Sequence, residues 1–230
     1  MLRFDGVVIA QGDFRLSADF SVPGGARVAV LGPSGAGKST LLGALAGFVP
    51  LASGRITWNG GDLGRLAPGA RPLSILFQDN NLFPHLDVAQ NVGLGLRPDL
   101  RLSRDDAARV EAALGRVGLG GMGARRPAEL SGGQAGRVAL ARVLLRARPV
   151  LALDEPFAAL GPALKAEMLA LVAGIAADTG ATLLMVSHDP KDARALCDST
   201  ILVADGRASP PAPTADLLDN PPPALRRYLG

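Results

Sequence analysis

Residues 1–230 predict an α/β fold with a mainly parallel core sheet, a β part at the N-terminus and a helical insertion in the middle. Three observations carry the prediction. Continuous apolar runs at Arg27–Leu31, Val150–Leu153 and Leu183–Val186 read as strands buried on both faces. Helical stretches such as Ser39–Ala46 and Pro162–Ala177 follow them, and strands alternating with helices imply parallel pairing. From about Asp87 to Arg148 the character turns helical, which interrupts that alternation.

Each element has a local reason. Val7-Val8-Ile9 and Phe14-Arg15-Leu16 read as strands, and the Pro-Gly-Gly of residues 23–25 as the turn before Arg27. Arg55–Trp58 reads as a strand closed by two glycines, and Leu73–Phe77 as another. Ser103 precedes an acidic first turn at Asp105-Asp106, the pattern of a helix N-cap. A second helix is expected from near Ser131 through Leu145. Ile201–Val203 with Asp205-Gly206 predicts a late hairpin or edge, and the Pro-rich tail from Ser209 a loop and a short helix. The reading is one domain with two lobes.

Composition removes several classes. Apolar residues at 48% and charged residues at 20% exclude a disordered chain. Gly 29 and Pro 18 are many, but without a G-X-Y period they exclude collagen. No run approaches the roughly 18 apolar residues of a membrane span, and the opening Met1–Asp5 has no apolar signal core. A lone Cys197 excludes an internal disulfide and a cysteine metal cluster. The expectation is a cytosolic protein. Net charge is a mild +3, and the scattered arginines accompany abundant Ala, Gly and Pro, which reads as compositional bias. With aromatics at only 4%, base-stacking surfaces are not expected, and neither is a nucleic-acid partner.

Gly32-Pro33-Ser34-Gly35-Ala36-Gly37-Lys38-Ser39 fits G-x-x-x-x-G-K-[ST] between a predicted strand and a predicted helix. Glycines there let backbone amides ring a phosphate, and the helix N-terminus adds its positive dipole end. Lys38 is placed to reach the β- and γ-phosphates, and Ser39 to offer a hydroxyl to Mg²⁺. Kinases, GTPases and motors all use such a loop. The field narrows at Val150–Glu155, where an apolar strand ends in two carboxylates. Asp154 suits the metal and Glu155 the attacking water, although an acidic pair there can also cap a helix.

Between these elements stands Leu130-Ser131-Gly132-Gly133-Gln134, a candidate anion trap at a helix start. Together with Leu76-Phe77-Gln78 and Met185-Val186-Ser187-His188, it resembles, in order, the signature motif, Q-loop and switch histidine of ATP-binding cassette (ABC) ATPases. The resemblance runs from about Leu2 to Gly206. It implies a P-loop NTPase fold and a single ABC ATPase domain over residues 1–230. In that fold the N-terminal β part is antiparallel, and a helical lobe at roughly 87–148 is inserted in the RecA-like lobe. It implies ATP and Mg²⁺, with Glu155, His188 and Gln78 as catalytic residues and Ser39, Gln78 and Asp154 at the metal. Nucleotide contacts would come from Gly32, Pro33, Ser34, Gly35, Ala36, Gly37, Lys38, Ser39 and Thr40. Ser131, Gly133 and Gln134 would serve the ATP of a second copy in a head-to-tail dimer. His85 is read as structural or interfacial.

Two departures stand out. The family stacks an aromatic on adenine where this chain has Gln11, which leaves either weaker ATP binding or Phe14 as the substitute. The loop after Glu155 reads Ala159-Leu160-Gly161 where the family usually has Ala-Leu-Asp, so coupling across the dimer loses a carboxylate. Residues 135–137, Ala-Gly-Arg, also differ from the polar residues common there.

The stretch Phe77–Leu96, with Ala152–Phe157 and Leu183–His188, closely resembles the ATPases of proteobacterial thiamine importers. That likeness implies a motor subunit peripheral to the cytoplasmic face of the inner membrane. Its partners would be a transmembrane permease and, indirectly, a periplasmic solute-binding protein. Importers of ferric iron, sulfate, molybdate or polyamines remain alternatives, as do a non-transport ABC ATPase and a nucleotide kinase. Leu82, Phe83, Pro84 and Leu86 are expected to form an exposed apolar surface for the permease.

Overall fold

The computed structural model describes the chain apart from Gln78, Asn80, Ala158, Ala159 and Gly230, and of Leu229 only the backbone. In chain order the strands and helices begin with β1 (Leu2–Gln11), β2 (Phe14–Val22), β3 (Arg27–Leu31), α1 (Lys38–Ala46), β4 (Ser53–Trp58), β5 (Gly61–Asp62) and β6 (Leu73–Leu76). Next come α2 (Val88–Gly93), α3 (Arg104–Arg116), α4 (Gly132–Arg146), β7 (Val150–Asp154), α5 (Pro162–Thr179) and β8 (Thr182–Val186). The chain closes with α6 (Pro190–Leu196), β9 (Ser199–Ala204), β10 (Arg207–Ala208), β11 (Ala212–Pro213), α7 (Thr214–Asp219) and α8 (Pro223–Leu229). Two compact units result: residues 1–73, 149–155 and 180–230 form one, and residues 74–148 and 156–179 the other.

In the first unit the strands run in the order β5-β4-β1-β2-β10-β9-β3-β8-β7. The N-terminal portion is antiparallel, β4 to β1 and β1 to β2. Leu2, Phe4, Val7 and Ile9 turn inward, with a register shift between Phe4 and Val7 that keeps the apolar face buried. The core portion, β9-β3-β8-β7, is parallel throughout. Its strands carry little polar alternation because they are covered on both faces: Val28 to Leu31 and Thr182 to Val186 are all buried. Every expected strand is present. β1 and β2 extend well beyond the three-residue cores legible in the sequence, and β6 stops one residue earlier, at Leu76.

The second unit is helical. Val88 and Val92 of α2, Val110, Ala113 and Leu114 of α3, and Val138 and Ala141 of α4 share one apolar cluster. α3 and α4 start where their caps direct. Ser103 and Ser131 each accept from the backbone amide three residues on, while Asp106 and Gln134 reach back to the cap amides. The Arg97 guanidinium 2.8 Å from Asp106, with the Ser103 amide, holds that carboxyl down at about 2. Among the described residues no helix is long and apolar enough to cross a membrane. Cys197 is buried, and that burial pushes its thiol up to about 12, so it is chemically quiet.

Candidate functional site

The middle strand β3 aims the glycine-rich turn. Gly32 follows it at φ +152°, and a Cβ there would lie 2.0 Å from the Val203 carbonyl oxygen of β9. No other residue fits that approach. The turn ends at Gly37, φ +102°, which is the N-cap of α1; a Cβ here would meet the Phe14 ring at 2.5 Å. Lys38 opens the helix and is buried, its Nζ donating to the carbonyls of Gly32 at 2.8 Å and Pro33 at 2.9 Å. Burial lowers its pKa, opposed by the nearby carboxylates of Glu155 and Asp154.

A cavity of about 500 Å³ opens over this turn. Gly32, Ser34, Gly35 and Gly37 line it together with Lys38, Ser39 and Thr40. Glu155 and His188 line it as well, and so do Gln11, Phe14 and Tyr228. At 500 Å³ it is the size of a small-molecule site. Pro33 and Ala36 belong to the same turn, the Ala36 amide donating to Pro33 at 3.2 Å.

The carboxylates arrive on β7. Asp154 accepts from the Ser39 hydroxyl at 3.0 Å, and its pKa is raised, chiefly by burial, with Ser39 acting in the opposite direction. Glu155 takes φ +46°, a left-handed backbone that costs a non-glycine residue about 1 kcal/mol or more. Its amide donates to Val186 at 3.1 Å, which ties the end of β7 to β8. That turn brings Glu155 Oε2 to 3.4 Å from His188 Nδ1. His188 is on the loop after β8, where Ser187 donates to the buried Asp192 at 2.7 Å and the Asp189 side chain caps α6. A hydroxyl and a carboxylate side by side are hard oxygen donors, and Mg²⁺ takes one or two carboxylates along with phosphate oxygens, so Ser39 and Asp154 fit that ion. Gln78, the third expected metal residue, lies outside the described residues.

The other expected residues stand on the second unit. Ser131 is exposed at the N-cap of α4, Gly133 is buried, and Gln134 completes the capping box. No acid occupies the first turn of α4, so its positive end is left unneutralised by the helix itself. Gly133 lies close to Leu164 of α5: a Cβ would come within 2.3 Å of that side chain. Gly161 is exposed with open space around it, and Ala159, two positions earlier in the sequence, is outside the described residues.

In the apolar stretch after the Q-loop, Phe83 is 46% exposed, whereas Leu82 and Leu86 are half-buried and Leu82 packs on the helical cluster. The fully buried Asn91 shapes this turn. It accepts from the Phe83 amide at 2.8 Å and donates to the carbonyls of Phe83, Leu86 and Asp87. The His85 carbonyl accepts from Arg126, and its ring meets Phe83 edge-on. Tyr228 was not legible as a site residue. It is the single tyrosine in a Pro-rich tail without periodicity, and no local signal ties it to the cavity.

Known proteins resemble this chain in domain, sequence and fold. Residues 16–158 match the family described as ABC transporter. The chain is 65% identical to a thiamine import ATP-binding protein, ThiQ, of Cereibacter sphaeroides, with all of both chains covered. It is 60% identical to the protein of the same name from Ruegeria sp. (strain TM1040), again with both chains fully covered. Among solved structures it resembles the dimeric ATP-binding cassette MJ0796 in a post-hydrolysis state bound to ADP and Pi. There the TM-score is 0.81 at 26% identity, over 93% of this chain and 99% of that one. On the glycine-rich turn, the acidic strand end and these matches, the chain belongs to the ABC transporter family.

Proposed function

We propose that the chain is the ATP-hydrolysing motor subunit of a bacterial thiamine importer. Full-length likeness to thiamine import ATP-binding proteins, at 65% identity, carries the reading. In it the chain works as a head-to-tail dimer beneath a separate permease, on the cytoplasmic face of the inner membrane. A periplasmic binding protein would deliver the solute from the far side. Residues 1–230 act as one ABC ATPase domain with the helical lobe, roughly 87–148, as its insertion.

Each cavity residue has a task in this reading. The turn from Gly32 to Thr40 holds the phosphates, and Lys38 reaches the β- and γ-positions. Held by Ser39, Asp154 and Gln78, Mg²⁺ would neutralise charge on those phosphates. Glu155 takes a proton from the attacking water, and His188, 3.4 Å away, holds the γ-phosphate and that water in place. Ser131, Gly133 and the amides at the start of α4 close over the partner's ATP as an anion trap. Phe14, on the cavity wall beside Gln11, supplies the aromatic surface for adenine. Stacking on an aromatic contributes about 1–3 kcal/mol, so Phe14→Ala should raise the Kd for ATP by about 5–150-fold. Gln11→Ala should change it less than about twofold. Fluorescence titration with a labelled ATP decides; the reverse ranking would remove Phe14 from this role.

Transport is the direct test. Co-expressed with its permease and reconstituted, the chain should hydrolyse ATP faster when the binding protein carries thiamine. Stimulation by ferric iron, sulfate, molybdate or polyamine in place of thiamine would overturn the solute. The exposed Phe83, on the turn latched by Asn91, is the proposed permease contact. Phe83→Ala should preserve melting and ATP binding, yet reduce copurification with the permease and separate hydrolysis from uptake. A large loss of thermal stability would instead make Phe83 part of the helical packing.

A further inference from the structure

The loop that carries His188 is held from two directions. From its own side, Ser187 donates to Asp192 at 2.7 Å, and the Asp189 amide donates back to Ser187 at 3.0 Å. From the other side comes α8, forty residues further along the chain: the Tyr228 hydroxyl donates to the His188 backbone carbonyl at 2.5 Å. The helix that presents it is itself fixed. Leu225 is fully buried, and the Arg226 side chain donates to the Pro221 carbonyl at 2.8 Å, which locks the turn into α8. Tyr228 also lines the cavity alongside Lys38, Glu155 and His188. Burial raises the phenol pKa, with the Glu155 and Asp189 carboxylates adding to the effect, so the hydroxyl stays a donor at neutral pH.

We infer that Tyr228 is a positioning residue for ATP hydrolysis, its hydroxyl fixing the peptide of His188 so that the imidazole stays set against Glu155 and the γ-phosphate end of the cavity. A phenol–carbonyl bond restrains the very peptide from which the imidazole projects. With Ser187 already tied to Asp192, the His188 backbone is held from both sides, which fixes the point from which the imidazole reaches toward Glu155. Such a device acts on the chemical step. It is not needed to hold the adenine or the α- and β-phosphates, so the expected loss is in kcat rather than in KM. The inference rests on the reading of His188 as the γ-phosphate contact.

The test uses the full chain assembled with its permease, in four forms: parent, Tyr228→Phe, His188→Ala and the double variant. Tyr228→Phe keeps the ring and removes one neutral hydrogen bond, which is expected to lower kcat by about 3–10-fold. The KM for ATP should stay within about twofold of the parent, since ground-state binding is untouched. In the His188→Ala background the same change should have no further effect, because the group it positions is gone. Since Tyr228 is the chain's one tyrosine, fluorotyrosine incorporated into the chain produced separately, before assembly with unlabelled permease, labels this site alone. Its ¹⁹F resonance should move on adding a non-hydrolysable ATP analogue with Mg²⁺, a readout that stands even if Tyr228→Phe folds poorly. A parent-like kcat in Tyr228→Phe, a change confined to KM, an equal loss in both backgrounds, or a resonance blind to the analogue would each overturn the inference. Parent-like turnover in His188→Ala would instead remove the reading of His188 on which it rests.

Discussion

Glu155→Gln is expected to lower ATP turnover by about 10²–10⁴-fold while leaving ATP binding intact. The geometry makes this substitution clean. Gln has the same reach and the same backbone preferences as Glu, so the left-handed turn at φ +46° and the amide bond to Val186 carry over unchanged. The 3.4 Å approach to His188 is compatible with the change as well, because a Gln side chain still offers an oxygen there. What disappears is the base. With nucleotide bound and no hydrolysis to release it, a nucleotide-bound dimer should accumulate, visible by size-exclusion chromatography with ATP present. Phosphate release in a single turnover, measured on the complex with its permease, reads the chemical step itself. Near-parental release there would take Glu155 out of the catalytic role and leave a capping or structural carboxylate.

Much of this site was legible because its signals are local. The glycine-rich turn has a fixed spacing, and its neighbours β3 and α1 are announced by a continuous apolar run and a helix-forming one. The acidic pair sits at the end of a strand whose apolar run is equally plain. Ser103 and Ser131 mark the starts of α3 and α4 because a capping box is a four-residue signal. What failed to show is what tertiary contact decides. β1 and β2 run longer than expected because pairing recruits polar and bulged residues that carry no strand signal of their own. α5 is apolar over much of its length, and nothing in that pattern tells which unit it joins; Leu164 against Gly133 and the Arg137–Glu167 ion pair at 2.6 Å place it beside α4. Asn91 looks like any polar residue in a short helix, yet it is fully buried with a bond to each carbonyl it faces. Tyr228 is the clearest example, since its partner is forty residues away and only the closed fold brings the two together.

Lys38→Ala should act earlier, on binding. The parent ammonium is held by two carbonyls of its own turn, and in the proposed complex it exchanges them for phosphate oxygens. Loss of a charged hydrogen bond of about 1.5–3 kcal/mol predicts an ATP affinity weaker by about 10–150-fold. Ser131→Ala should leave ATP binding to the isolated chain near the parent value, because its hydroxyl is proposed to meet the ATP of the other copy. The two defects then fall in one and the same composite site when the variants pair. A mixed dimer joins the damaged turn of one chain to the damaged signature of the other and leaves the second site with both halves intact. Equal mixing and random pairing therefore restore about a quarter of the parent's sites, although each variant alone is nearly inactive. Gly161 bears on how much activity those sites recover. It is exposed, with open space where the family's aspartate would stand, so one intact site gains no help from a carboxylate across the interface. Recovery toward a quarter of parental turnover would mean each site fires alone; recovery well below it, with ATP bound, would mean the sites depend on one another. A mixture no more active than either variant, and with no added ATP binding, would show that Ser131 and Lys38 do not share a site between chains.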